Sequence, residues 1–164
     1  MRICLFIIGL FISCQLSLAQ GKFAIRAVVV GVTDGDTFTA LLDNKTQIKV
    51  RMHGIDAPEK KQAFGQVAKI KLSDCIYGKT VSLSYDKLDR NNRYICWVNA
   101  DQMQVNEVML MTGLAWHYTK YDQNSKWAKL ESEARKSKFG LWKDSNPVEP
   151  WIFRKTKKLK SPSN

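Results

Sequence analysis

Hydrophobic and polar positions alternate most cleanly in TQIKVRMHG, Thr46 to Gly54. Ile48, Val50 and Met52 fall on one side and Lys49, Arg51 and His53 on the other. A period of two predicts a strand with one buried face, so Arg51 is mounted on a strand and not on a loop. His53 reads as a surface residue on the same polar face. FAIRAVVVGV (Phe23 to Val32), FTALL (Phe38 to Leu42), KTVSLSY (Lys79 to Tyr85) and RYICWV (Arg93 to Val98) are rich in β-branched and aromatic residues and read as four further strands. TDGDT (Thr33 to Thr37) and DKLDRNN (Asp86 to Asn92) are turns between them.

The period changes after Pro58. Phe64, Val67, Ala68, Leu72, Cys75 and Ile76 line one face of a predicted helix, with Gly78 as its stop. VNEVMLMTG (Val105 to Gly113) is a short helix. SKWAKLESEARKSKFG (Ser125 to Gly140) is another, with Trp127, Leu130, Ala134 and Lys138 along one line. Three strands, a helix, two strands and two helices predict an α+β domain that is mainly β, a small closed barrel of the OB type with helices packed on it. Such barrels often bind oligonucleotides, but the fold does not fix the function.

The first residues change the picture of where the chain works. MRICLFIIGLFISCQLSLA has a cation at Arg2, an apolar run from Ile3 to Ile12 and small residues at Ser17 and Ala19. This is the pattern of a secretory signal, expected over 1–19 with cleavage after Ala19. Lipidation at Cys14 is the minor alternative. No other apolar run is long enough to span a bilayer. The expected organisation is a leader (1–19), one domain (20–153) and a basic tail (154–164) that hangs free, in a secreted or periplasmic protein. A monomer is the expectation.

Without the leader there are 25 Lys and Arg against 15 acids, a net charge of +10. That balance points to a polyanionic partner, either nucleic acid or an anionic envelope surface. Two cysteines remain, Cys75 and Cys96. Export makes a disulfide between them the expectation, with two buried thiols as the alternative. His53, His117 and these cysteines lack the spacing of a zinc site.

VRMHGIDAPE (Val50 to Glu59) gathers a guanidinium and two carboxylates around a turn stiffened by Pro58. Asp36, in the first turn, is a third acid near a strand end. Carboxylates with a backbone carbonyl suit a hard cation. Glu59 can activate a water. Arg51 and Arg93 carry planar forks suited to phosphate oxygens. Taken singly each residue has a plainer reading, as a turn former, a helix opener or a solvated charge.

VTDGDTFTALL, VRMHGIDAPE, DRNNRYICWV and VNEVMLMTGLAW resemble, in order and spacing, the thermonuclease family of staphylococcal-nuclease-like enzymes. The likeness runs from about Phe23 to Phe153. It implies an OB-type five-stranded barrel with three helices. It also implies Ca²⁺-dependent endonucleolytic hydrolysis of DNA and RNA with little sequence preference, leaving 3′-phosphates. By position, Asp36 and Asp56 match the metal ligands, with the backbone carbonyl of Ala57. Glu59 matches the proposed general base, and Arg51 and Arg93 match the catalytic arginines. Where the family commonly has Tyr-Gly before the second arginine, this chain has Asn91-Asn92; Asn92 tolerates the left-handed conformation such a turn needs. Arg90 is a cation expected near the bound phosphate, and Tyr118 and Tyr121 are expected to stack bases. Trp116 reads as core. A non-catalytic OB-type nucleic-acid-binding module is the rival reading, and docking on anionic surfaces through the tail is a third.

Overall fold

The computed structural model describes residues 23–160. The expected leader, including Cys14, lies outside them. The elements in chain order are β1 (Phe23–Val32), β2 (Thr37–Leu41), β3 (Gln47–Met52), β4 (Ile55–Asp56), α1 (Gly65–Ile76), β5 (Thr80–Leu88), β6 (Tyr94–Ala100), β7 (Met103–Gln104), α2 (Val105–Met111), β8 (Trp116–His117), α3 (Ser125–Lys136), a 3₁₀ turn (Gly140–Lys143) and α4 (Pro150–Lys160).

Five strands form a ring. β3, β2, β1, β5 and β6 pair antiparallel in that order, and β6 then lies parallel against β3, matching Val50 with Tyr94 and Met52 with Cys96. The ring is the closed, mixed OB-type barrel the strand count predicts. Closure removes sheet edges that would otherwise stay unpaired. β1 can serve two neighbours because its register shifts between Val29 and Gly31, a bulge that bends the strand.

The alternation seen in β3 is the in–out alternation of the barrel. Ile48, Val50 and Met52 are buried with Phe38, Leu83 and Val98, and Lys49 is exposed. Burying a side chain of that size contributes about 1.5–3 kcal/mol. α1 covers one side of the barrel with Ala68, Leu72, Cys75 and Ile76, while Val67, expected on the same face, is exposed. Met109 and Leu110 of α2 and Trp127 of α3 extend this core. A second cluster holds Trp116, Ala134, Leu141 and Trp142, with the Arg135 guanidinium 3.8 Å from the Trp142 ring centre and 4.5 Å from that of Trp116.

Three expectations are corrected. Cys75 and Cys96 are separate buried thiols, not a disulfide. Cys96 is fully buried on β6 while Cys75 packs from α1, so each acts as a small hydrophobe. Burial pushes the Cys96 thiol up to about 12. Second, four α-helices are present among the described residues, not three. The tail expected to hang free from residue 154 is helical to Lys160. Pro150 opens α4 at the position where its missing N–H costs nothing, and Trp151 stacks on Tyr118 with centroids 4.9 Å apart and planes 5° apart.

Third, His53 is buried, stacked 3.8 Å from the Trp97 ring. Its Nε2 donates to Asp122 Oδ2 (3.2 Å), and the buried His117 donates from Nε2 to Oδ1 (2.8 Å). Asp122 thereby ties the end of β3 to β8. Burial opposes its ionisation, but the Asn124 N–H and the two imidazoles hold its carboxyl below the ordinary value of 3.8. A depressed carboxyl stabilises the fold above that value, and the contribution is lost as pH falls through the folded-state value. Asp122→Asn is therefore expected to lower the thermal midpoint by about 3–6 °C at pH 6. The gap should narrow as pH falls through the lowered folded-state value of this carboxyl, in paired melting curves.

Candidate active site

The site is built on the ends of β1 to β4 and the turn after β5. In the first turn, the amides of Thr33 and Asp34 both donate to the Thr37 carbonyl, and Asp36 N–H donates to Asp34 Oδ1 (3.2 Å). The turn packs so closely under Ala57 and Ala68 that a Cβ on Gly35 would meet both side chains at 2.7 Å. Asp36 is buried as a result. Its Oδ1 accepts from Thr37 Oγ1 (3.0 Å) and its Oδ2 from the Ala57 amide (2.6 Å).

β3 ends in a turn through Gly54, whose φ of +65° suits glycine. Arg51 curls over that turn. Its Nη1 donates to the carbonyls of Ile55 (2.9 Å) and Met52 (3.1 Å) and lies 3.2 Å from Asp36 Oδ2. Its Nη2 donates to Asp56 Oδ1 at 2.8 Å. One fork thus bridges both carboxylates of the expected metal-binding set. β4 pairs antiparallel with β8 and sets Asp56, which is fully buried, opposite Trp116. Burial pushes the Asp56 carboxyl up, and the guanidinium groups of Arg154 and Arg51 oppose that. Asp34 is pushed up to about 7, first by burial and then by the neighbouring Asp36.

Glu59 lies in the loop after β4, its side chain about one-third exposed. Arg93 follows Asn92, which takes the left-handed conformation (φ 57°) that the sequence allows. Arg93 donates from Nε to Asp89 Oδ2 (2.8 Å), and its Nη2 is 2.7 Å from the same oxygen. Burial opposes ionisation of Asp89, yet the Arg93 backbone N–H and guanidinium hold it below the ordinary value. Arg51, Asp36, Asp56, Ala57, Glu59 and Arg93 all line one open cleft of about 800 Å³. Arg90, Tyr118 and Tyr121 line it too, while Trp116 is core, as read.

Asp34, Asp89 and Arg154 are cleft residues to which the sequence reading gave no role. Asp34 stood in the quoted turn, and Asp89 is four residues before Arg93. Nothing in the chain's local pattern marks Arg154, which reaches Asp56 from α4. Among the described residues no group of three or more His, Cys, Asp or Glu side chains is placed to hold a metal by itself. The expected set is smaller: two carboxylates and a carbonyl. All its donors are oxygens, the donor type a hard divalent cation takes, and both carboxylates open on the same cleft. The residues fit such an ion.

A sequence model of the family described as Staphylococcal nuclease homologue matches residues 49–144. An uncharacterized endonuclease of Escherichia coli O157:H7 is 41% identical over 134 residues, covering 81% of this chain and 87% of that protein. A micrococcal nuclease of Shigella flexneri is 37% identical over 144 residues, covering 81% and 82%. A staphylococcal-like nuclease of Arabidopsis thaliana, CAN1, is 40% identical over 112 residues, covering 68% of this chain and 35% of that longer protein.

Proposed function

This chain belongs to the staphylococcal nuclease homologue family, and from that premise we propose that it is an exported, Ca²⁺-dependent endonuclease of DNA and RNA with little sequence preference. It is a phosphodiester hydrolase. The observation that carries the finer reading is the convergence of Arg51, Glu59 and Arg93 with Asp36 and Asp56 on one cleft. A module that only binds has no use for that full set. The apolar leader supports export.

Asp36, Asp56 and the Ala57 carbonyl would hold Ca²⁺, which when bound supplies Lewis-acid polarisation of the scissile phosphate. Arg51 and Arg93 clamp the equatorial phosphate oxygens and stabilise the charge that builds on them. Glu59 orients a water and takes its proton as the oxygen attacks phosphorus. The new P–O bond forms as the bond to the 5′ oxygen breaks. The leaving oxygen takes a proton from solvent, and the product retains a 3′-phosphate. Tyr118 and Tyr121 offer ring faces to bases, and Arg90 adds a cation beside the cleft.

The test is cleavage of single- and double-stranded DNA and of RNA by the mature chain, with Ca²⁺ and with a Ca²⁺-selective chelator. The chelator is expected to lower the rate at least about 100-fold, and Ca²⁺ to restore it. Tight binding without cleavage in every divalent metal tried would replace this reading with the binding module.

A further inference from the structure

We propose that α4 is a working part of the active site and that its Arg154 is the positioning residue for Glu59. The inference rests on the reading of Glu59 as general base.

Glu59 sits in the connection between β4 and α1, outside any helix or strand. A base must lie within hydrogen-bond reach of the water it activates, and a displacement of about 1 Å can cost about 100-fold in rate. Something must therefore hold a partly exposed carboxylate on a loop. Arg154 Nη1 donates to Glu59 Oε1 at 2.6 Å. The same guanidinium donates from Nη2 to Asp56 Oδ2 (2.8 Å) and from Nη1 to Asp56 Oδ1 (3.2 Å). Asp56 is fully buried and is itself fixed by Arg51. Arg154 thus references the Glu59 side chain to the most deeply buried acid of the cleft. Among the described residues Oε2 of Glu59 accepts no hydrogen bond, which leaves that oxygen for a water.

The backbone of Glu59 is held from the same direction. Gln62 accepts the Glu59 N–H at Oε1 (3.1 Å) and donates from Nε2 to the carbonyl of Val148, in the segment leading into α4. Gly65 lets the loop close on the start of α1, since a Cβ there would collide with the Glu59 carbonyl. α4 is a fixed support. Trp151 stacks on Tyr118 and meets the buried Trp116 edge-on at 5.8 Å. An exposed lysine or arginine pair usually contributes little. Three bonds from one fork to two acids, one of them fully buried, are a different case.

The experiment uses the mature chain as wild type, Arg154→Lys, Arg154→Gln, Glu59→Gln and the double variant Glu59→Gln/Arg154→Gln. Each cleaves a short single-stranded DNA under saturating Ca²⁺. Arg154 is 44% exposed, so the fold should tolerate its loss, and melting curves check this. Arg154→Gln is expected to lower kcat about 30- to 100-fold with KM within about threefold, and Arg154→Lys to recover much of that loss. In the Glu59→Gln background, removing Arg154 is expected to cost less than about threefold more, because its effect passes through Glu59. A kcat for Arg154→Gln within about twofold of wild type overturns the proposal. So does a loss confined to KM, which would make Arg154 a phosphate-binding cation, or an undiminished loss in the Glu59→Gln background. A wild type that cleaves nothing overturns the nuclease reading with it; a cleaving wild type indifferent to Arg154 overturns the positioning role alone.

Discussion

Glu59→Gln is expected to lower kcat by about 10³-fold while leaving the protein folded. The amide is nearly isosteric with the carboxylate, and its oxygen can still accept from Arg154 Nη1. The backbone contact from Glu59 N–H to Gln62 does not involve the side chain. What is lost is the ability to take a proton from water, and general bases contribute about 10²–10⁴-fold. KM should change little, because Glu59 bears no charge that attracts phosphate. Single-turnover cleavage of a short oligonucleotide, beside melting curves, separates the chemistry from folding. A folded variant that keeps full turnover would remove Glu59 from the mechanism.

The two arginines are expected to match in rate and differ in stability. Arg51→Ala and Arg93→Ala should each lower kcat/KM by about 10²–10³-fold, the scale for losing one oxyanion donor. Arg51, however, bridges Asp36 and Asp56 and donates to two carbonyls of the turn. Its side chain is 14% exposed and that of Asp56 1%. Removing it strands buried carboxylates, which typically costs about 3–5 kcal/mol. Arg154 still holds Asp56, so the lower end is expected. Among the described residues Arg93 pairs only with Asp89, four residues away, and lines the cleft. Its loss should cost less than about 1 kcal/mol. Urea unfolding and steady-state kinetics on both variants test the contrast. Equal stability losses would mean that Arg51 is no more structural than Arg93.

The barrel was legible because its strands are half-buried. The period of two in Thr46 to Gly54 marks which side faces the core and places Arg51 on the other. The same pattern misplaced His53: beyond Met52 the strand has ended, and the turn at Gly54 lays the imidazole against Trp97. Ala68, Leu72, Cys75 and Ile76 were read correctly on the buried face of α1, but Val67 is exposed, since a 3.6-residue period leaves the stripe's edge open, and Phe64 precedes the helix as its left-handed N-cap. A disulfide was inferred from compartment, but pairing depends on where two thiols end up, and these occupy separate packing positions in β6 and α1. The run from Arg154 looked like a solvated tail because charge dominates it, and charge does not report that Trp151, just before it, has a ring to stack on.

By itself the sequence determined the elements that depend on neighbouring residues: the strand alternation, the turns at Gly35, Gly54 and Asn92, and the short motifs that carry Asp36, Arg51, Asp56, Glu59 and Arg93. Motifs persist in the chain because each is a local arrangement of backbone and side chain. Only the tertiary structure decided that these motifs share one cleft, that Asp122 joins two histidines, and that α4 brings Arg154 to Asp56 and Glu59. Those contacts join residues far apart in the chain. They form only after barrel closure and the stacking of Trp151 have fixed where each element lies, so no local period records them.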